Sequence, residues 1–360
     1  MPSLFDPLQL GDIAVGNRIF MSPLTRGRAT PDHVPTELMI EYYRQRAGAG
    51  LIISEGTGVS RRGLGWPAAP GLWTEPQVEA WKPVTEAVHQ AGGKIVAQLW
   101  HMGRLSRPDV TGLQPLSSSA TRAPYHKPEN PYAEAQAATL DDIRLAQDEY
   151  ADAARNAIRA GFDGVQLHGA NGYLIDQFLR DGTNHRSDDY GGSVENRLRL
   201  LVEATEAIAT VIGPERTAVR LSPNSETQGV EDSDPNALFT AAAEALQPIG
   251  IAFRELREPG PQGTFGRSDI PPVSPAMRKV FTGPIILNSD YDGEEAEAKL
   301  QAEEADAVSF GRPFISNPDL PHRIANKLEL TPDDRATWYT QGPEGYVDYP
   351  PAEEPPPPSL

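Results

Sequence analysis

The sequence predicts an α/β chain folded as a single (β/α)8 TIM barrel, and three observations carry that expectation. Short apolar or β-branched runs alternate with longer amphipathic stretches, the pattern of βαβ units and a parallel sheet. Eight such runs occur, as many as a closed barrel needs. Several amphipathic stretches also stop just before a glycine (Gly50, Gly92 and Gly161), where a left-handed residue can satisfy the last helical carbonyls. By length alone, 360 residues would hold about two average domains, but one barrel can absorb them.

Taken in order, residues 8–10 and 13–15 flank Gly11-Asp12 and read as a small hairpin suited to plugging the barrel bottom. The strand runs are 19–24, 51–55, 95–100, 164–168, 218–222, 251–256, 284–288 and 307–311, with helix candidates at 36–49, 75–91, 140–160, 194–212, 234–247 and 292–304. Residues 102–139 are longer than a loop should be in a compact domain and carry Pro108, Pro115, Pro124, Pro128 and Pro131, so they are expected to form a lid over the active face. Residues 350–360 are Pro-rich and acidic with little to bury, which predicts a disordered or polyproline-like tail after a barrel spanning 1–349.

Composition excludes several functions. The chain carries 32 Lys and Arg against 50 Asp and Glu, a net charge of −18 that repels nucleic acid and anionic lipid. A phosphate ligand would need local arginines. The absence of cysteine removes disulfides, thiolate nucleophiles, zinc–thiolate sites and iron–sulfur clusters. The seven histidines include no His-x-x-x-His or Glu-x-x-His pair, so no metal site is expected. The start, Met1-Pro2-Ser3-Leu4-Phe5-Asp6, is unlike a signal peptide, and no apolar run approaches the roughly 18 residues of a membrane span. A soluble cytoplasmic protein, monomer or homodimer, is the expectation.

Chemistry in such barrels sits at the C-terminal strand ends. The segment His168-Gly169-Ala170-Asn171-Gly172-Tyr173-Leu174 follows the fourth run directly. It puts two hydrogen-bonding side chains and a phenol at one strand end, a site for gripping an oxygen and delivering a proton. A lone histidine there is more often structural; Asn171 and Tyr173 at this spacing reverse that weighting. The other strand ends offer Pro23-Leu24-Thr25, Gly56, Gln98, Trp100, Arg220 and Gly311-Arg312. Two arginines and a glutamine aimed at one mouth of an acidic protein suit a ligand that combines phosphate with heteroaromatic carbonyls, as flavin mononucleotide (FMN) does. For Arg220 the competing reading is a buried ion pair inside the barrel. Trp100 and Tyr339 read equally as core aromatics.

Those motifs, together with Phe5-Asp6-Pro7-Leu8, Met21-Ser22-Pro23-Leu24-Thr25-Arg26, Asp188-Asp189-Tyr190-Gly191-Gly192-Ser193, Phe310-Gly311-Arg312-Pro313-Phe314 and Asn317-Pro318-Asp319-Leu320, resemble the old yellow enzyme family of FMN-dependent ene-reductases over nearly the whole of 4–349. The resemblance implies bound FMN reduced by NADPH, or by NADH, and ping-pong transfer of hydride to activated alkenes, which are α,β-unsaturated carbonyls or nitroalkenes. It implies that Thr25 meets flavin O4, that Gln98 meets the pyrimidine edge, and that Arg220 lies beside N1 and O2. Pro23, Leu24 and Gly56 would line the cofactor, and Ser289, Gly311 and Arg312 would hold its phosphate. His168 and Asn171 would grip the substrate oxygen, Tyr173 would protonate the α carbon, and Trp100 and Tyr339 would line the substrate pocket.

Two features depart from the family pattern. Asn288-Ser289-Asp290 stands where many members carry glycines, so the Asp290 carboxylate must point away from the phosphate or be paired; and Asn171 stands where some members have a second histidine. The remaining alternatives are a flavin reductase, a nitro or nitrate-ester reductase, and a non-catalytic flavin-binding protein. An aldolase or lyase barrel would want a lysine at a strand end, and the runs supply none there. Iron–sulfur dienoyl-reductase relatives need cysteines, which this chain lacks.

Overall fold

The computed structural model describes residues 2–124, 132–264 and 266–352. Its eight parallel strands close into a barrel: β1 (Ile19–Met21), β2 (Leu51–Gly58), β3 (Ile95–Trp100), β4 (Gly164–His168), β5 (Thr217–Leu221), β6 (Phe253–Arg257), β7 (Ile285–Asn288) and β8 (Ala307–Phe310). Each strand pairs with its neighbour in sequence, and β8 closes on β1 with Val308 opposite Ile19.

The connecting helices form where sequence and caps agree. Helix α1 covers Glu37–Gln45 and α2 covers Glu75–Gln90, the latter opened by a Thr74/Gln77 capping box. Helix α3 (Leu140–Arg159) starts at a Thr139/Asp142 box and buries Ile143, Ala146, Tyr150, Ala153, Ala154 and Ala157, the spacing of one helical stripe. Then follow α4 (Val194–Ile212) and α5 (Pro235–Leu246), with Ser193 and Asp234 as caps, and α7 (Gly293–Gln301), capped by Asp292. Between the last two lies α6 (Ser274–Val280), and α8 (Leu320–Asn326) ends the series. The last two named span seven residues each, too short to display two helical periods, and the sequence pattern did not predict them.

Inside the barrel the strands alternate by two. Phe20, Leu51, Ile53, Val96, Ala218, Phe253, Ile286 and Ala307 form an apolar layer with Leu10, Ile13 and Val15 of the antiparallel hairpin Leu8–Leu10/Ile13–Val15 packed against it. One alternation further along, the strands and their ends present Ser22, Gln98, Gln166, Arg220, Glu255, Asn288 and Ser309, all buried. Apolar below and polar above, the interior faces its chemistry in one direction.

Among the described residues of 102–139, Gly103–Leu105 is a 3-10 turn, Pro108–Thr111 a single helical turn, and Leu116–Ser117 pairs with Gln136–Ala137. Residues 125–131, which include Pro128 and Pro131 of the expected lid, lie outside the described residues. The Pro-rich end is held as far as Ala352, because Arg323 donates to the Pro350 carbonyl at 3.1 Å and the Ala352 amide donates to Asp319 at 2.7 Å. Residues 353–360, where the rest of the expected tail falls, lie outside the described residues.

Candidate active site

At the C-terminal strand ends the barrel opens into a cavity of about 850 Å³. Its wall brings together every site residue expected from the sequence: Pro23, Leu24, Thr25, Gly56, Gln98, Trp100, His168, Asn171, Tyr173, Arg220, Ser289, Gly311, Arg312 and Tyr339. It adds Trp66, Tyr132, Arg257 and Asn288.

The segment after β4 owes its shape to two left-handed residues. Asn171 has φ 58° and Gly172 has φ 77°; asparagine tolerates that region, and a Cβ at Gly172 would come within 2.7 Å of Gln228. The turn is pinned by hydrogen bonds from the Asn171 amide to Ser222 Oγ (2.8 Å) and from the Gly172 amide to Asp176 (2.9 Å). Asp176 is itself buried in an ion pair with Arg180 at 2.8 Å. Tyr173 then stands just before the short helix Leu174–Leu179 and lines the cavity, edge-on to His168 (centroids 4.8 Å apart) and to Trp100 (5.0 Å).

Protonation states follow from burial. His168 Nδ1 accepts the Ala170 amide at 3.3 Å, so the neutral ring carries its proton on Nε2 and is a donor there. Burial, with Arg220 and Arg257 adding to it, holds the imidazole well below its usual pKa of 6.5, so it is neutral at physiological pH. Burial also pushes the Tyr173 phenol above its usual value of 10. The buried phenol is a weaker acid than a free one, fully protonated at neutral pH, and suited to an acceptor as basic as an enolate-like carbon. Asn171 Oδ1 accepts from Arg257 Nη1 at 3.1 Å.

The floor of the cavity is a buried polar network. Gln98 Nε2 donates to Gln166 (2.8 Å), Gln166 Nε2 donates to Glu255 (2.8 Å), and Ser309 Oγ donates to Glu255 at 2.6 Å. Arg220 Nε lies 3.1 Å from Glu255, and its Nη2 donates to Asn288 Oδ1 at 2.6 Å. Both readings of Arg220 therefore hold in the geometry: it is a buried ion pair and it lines the cavity. At the rim, Arg312 Nη2 pairs with Asp290 Oδ1 at 2.9 Å, and Thr264 donates its amide to the same carboxylate at 3.1 Å. Asp290 is thus paired, as a phosphate nearby would require, while the guanidinium keeps further donors.

Distant elements hold the walls. Buried Glu55 accepts the Arg26 and Gly27 amides (3.1 and 3.0 Å), fixing the loop that carries Pro23, Leu24 and Thr25. Arg26 donates to the Trp338 carbonyl at 3.1 Å and to Gly345 at 2.7 Å, which ties down the segment bearing Tyr339. Tyr339 is 48% exposed at the mouth, with its ring 5.3 Å from Trp66.

The donor set fits FMN. A Cβ at Gly311 would meet only Leu24, at 3.5 Å, so the protein's own packing does not require glycine there and the wall is left open for a close ligand. Trp100 Nε1 is buried without a hydrogen-bond partner. Gly56 has a packing reason of its own, since a Cβ would lie 2.6 Å from the Trp100 indole. Among the described residues, no group of three or more His, Cys, Asp and Glu could hold a metal, and no helix is long and apolar enough to cross a membrane.

Arg257 escaped the sequence reading because the sixth run was placed at 251–256, whereas the strand is Phe253–Arg257; Glu255 lies within both ranges and was not singled out. Period-two alternation from Phe253 puts Glu255 and Arg257 on the inner face.

Residues 3–331 match the NADH:flavin oxidoreductase / NADH oxidase family. The chain is 59% identical to the old yellow enzyme homologue from Zymomonas mobilis, covering 97% of this chain and 99% of that one with a TM-score of 0.95. It is 43% identical to morphinone reductase, solved in complex with tetrahydroNAD, over 98% of both chains with a TM-score of 0.92. With 12-oxophytodienoate reductase 1 of Oryza sativa subsp. japonica it shares 40% identity over 356 residues, 98% of this chain and 93% of the relative.

Proposed function

The chain belongs to the old yellow enzyme family of NADH:flavin oxidoreductases, and from that premise we propose that this NAD(P)H-dependent flavin oxidoreductase is an ene-reductase for α,β-unsaturated carbonyls and nitroalkenes. The observation that carries this reading is the cluster of His168, Asn171 and Tyr173 at the end of β4, between the neighbouring strands that bear Gln98 and Arg220, in a cavity whose wall also holds Gly311 and Arg312 after β8.

FMN, when bound, would supply the hydride chemistry that links oxidation of NADPH, or of NADH, to reduction of the alkene at its β carbon. Arg312, Gly311 and Ser289 would hold its phosphate; Gln98, Thr25 and Arg220 would hydrogen-bond the ring system; Pro23, Leu24 and Gly56 would line it. Glu255 neutralises part of the Arg220 charge, so that arginine serves as a fixed donor as much as a cation.

The substrate half of the work falls to the protein's own groups. His168 Nε2–H and the side-chain NH2 of Asn171 donate to the carbonyl or nitro oxygen and strengthen as negative charge develops on it. Tyr173 delivers the proton to the α carbon, and its raised pKa ensures that the proton is present to give. Trp100, packed on Gly56, and Tyr339 bound the space in which the alkene lies flat. Because reductant and alkene would use the same space in turn, the kinetics should be ping-pong.

Tyr173→Phe tests the assignment. Bleaching of the flavin by NADPH should survive, while cyclohexenone turnover falls by about 10²–10⁴-fold, the range of general acid catalysis. Undiminished turnover would remove Tyr173 from the proton-donor role.

A further inference from the structure

Asn171 has a property that its position alone does not determine. A carboxamide carries a donor and an acceptor on one carbon and can turn over, so that either end faces a ligand. Only the NH2 end can stabilise a developing oxyanion; the carbonyl end would repel it. His168 faces the same ambiguity and resolves it through the Ala170 amide, which occupies Nδ1 and leaves the proton on Nε2.

We propose that Arg257 is the positioning residue that sets the polarity of Asn171, fixing its carboxamide with the oxygen turned to the guanidinium and the NH2 toward the substrate. Arg257 Nη1 lies 3.1 Å from Asn171 Oδ1. A guanidinium has no acceptor, so the flipped amide would set NH2 against N–H and lose the bond. Arg257 is itself held: Nη1 also reaches Ser225 Oγ at 3.2 Å and Thr227 Oγ1 at 3.4 Å, and the two hydroxyls are 2.5 Å apart. It ends β6 at 6% exposure, within the cavity wall. Burial lowers the guanidinium to about 10, which leaves it charged at neutral pH. The positive φ of Asn171 holds the backbone and Arg257 holds the amide plane, so the pair acts as one donor unit. Two consequences follow. Asn171 favours substrates whose oxygen accepts hydrogen bonds and disfavours those that must donate one, and the selectivity resides partly in a residue on another strand. This inference rests on the proposed role of Asn171 in gripping the substrate oxygen.

The test is a double-mutant cycle on the FMN-loaded enzyme, with NADPH and cyclohexenone as substrates and with flavin content and thermal midpoint recorded for each variant. Arg257→Met should lower kcat by about tenfold to a hundredfold while KM moves less than about threefold, the pattern of a group that acts in the transition state. In an Asn171→Ala background the same change should cost less than about twofold, because the group it positions is gone. Arg257→Lys, which keeps a donor but loses the planar fork, should fall between wild type and Arg257→Met, and it carries the cycle if the methionine variant does not fold. Equal losses in both backgrounds, or no loss in either, would overturn the positioning role while leaving the ene-reductase reading intact. A wild-type protein that turns over no enone would overturn that reading, and the inference with it.

Discussion

The lower and upper halves of the barrel interior lie on the same strands, two residues apart, and differ in everything else. On β6, Phe253 belongs to the apolar layer sealed by the hairpin, Glu255 to the polar network, and Arg257 to the cavity wall. On β3 the same order is Val96, Gln98, Trp100. Each strand thus spends its N-terminal half on burial and its C-terminal half on chemistry, so a substitution shifted by two residues should change which property fails.

The largest effect expected is on stability, and it should separate the halves by what accompanies it. Phe253→Ala removes a fully buried ring and should cost about 3–5 kcal/mol in urea unfolding, while the folded fraction keeps its KM for cyclohexenone within about twofold. Glu255→Ala should cost a comparable ~3–5 kcal/mol because it strands Arg220 as an unpaired buried cation, and it should weaken FMN retention as well. If Phe253→Ala shifted KM as strongly as Glu255→Ala, the division of the strands would be wrong.

A smaller effect is on pH dependence. His101, buried just after β3, is held at about 3 by burial and by the charge of Arg62. The unfolded chain binds a proton on that histidine below about 6.5 and the folded one does not until about 3. Its contribution is therefore intact above pH 6.5 and is lost as pH falls toward 3, with a slope of at most about 1.4 kcal/mol per pH unit. Buried Glu55 and Glu258, whose carboxyl pKa values are raised by burial, act with the opposite sign at the acid end. Between pH 6.5 and 5 the urea midpoint of His101→Asn should fall less steeply than that of wild type; parallel slopes would show that His101 is not a source of the acid loss.

The same two-residue logic explains what could be read from the sequence. The eight strands announce themselves by local apolar runs, and His168, Asn171 and Tyr173 declare a site because they sit within six residues of one another. The partner in the Arg220–Glu255 pair could not be read, since its members are on different strands, and alternation gives each charge a face without saying which other charge it meets. The strap formed by Arg26 and the segment near Gly345 was equally hidden, because its hydrogen bonds span 319 residues of sequence. Arg257 lay one residue beyond the run as first drawn, and that single position decided whether it counted as wall or loop.

The central claim is that the upper half of this barrel runs two half-reactions in one cavity. The most direct measurement is an anaerobic visible spectrum of the FMN-loaded protein during addition of NADPH and then cyclohexenone. Bleaching of the flavin band by NADPH, followed by its full return with the enone, is the predicted result. A protein that bleached and did not recover would retain the flavin reductase half and contradict the substrate assignment of His168, Asn171 and Tyr173. One that bound no flavin would contradict the account of the cavity itself.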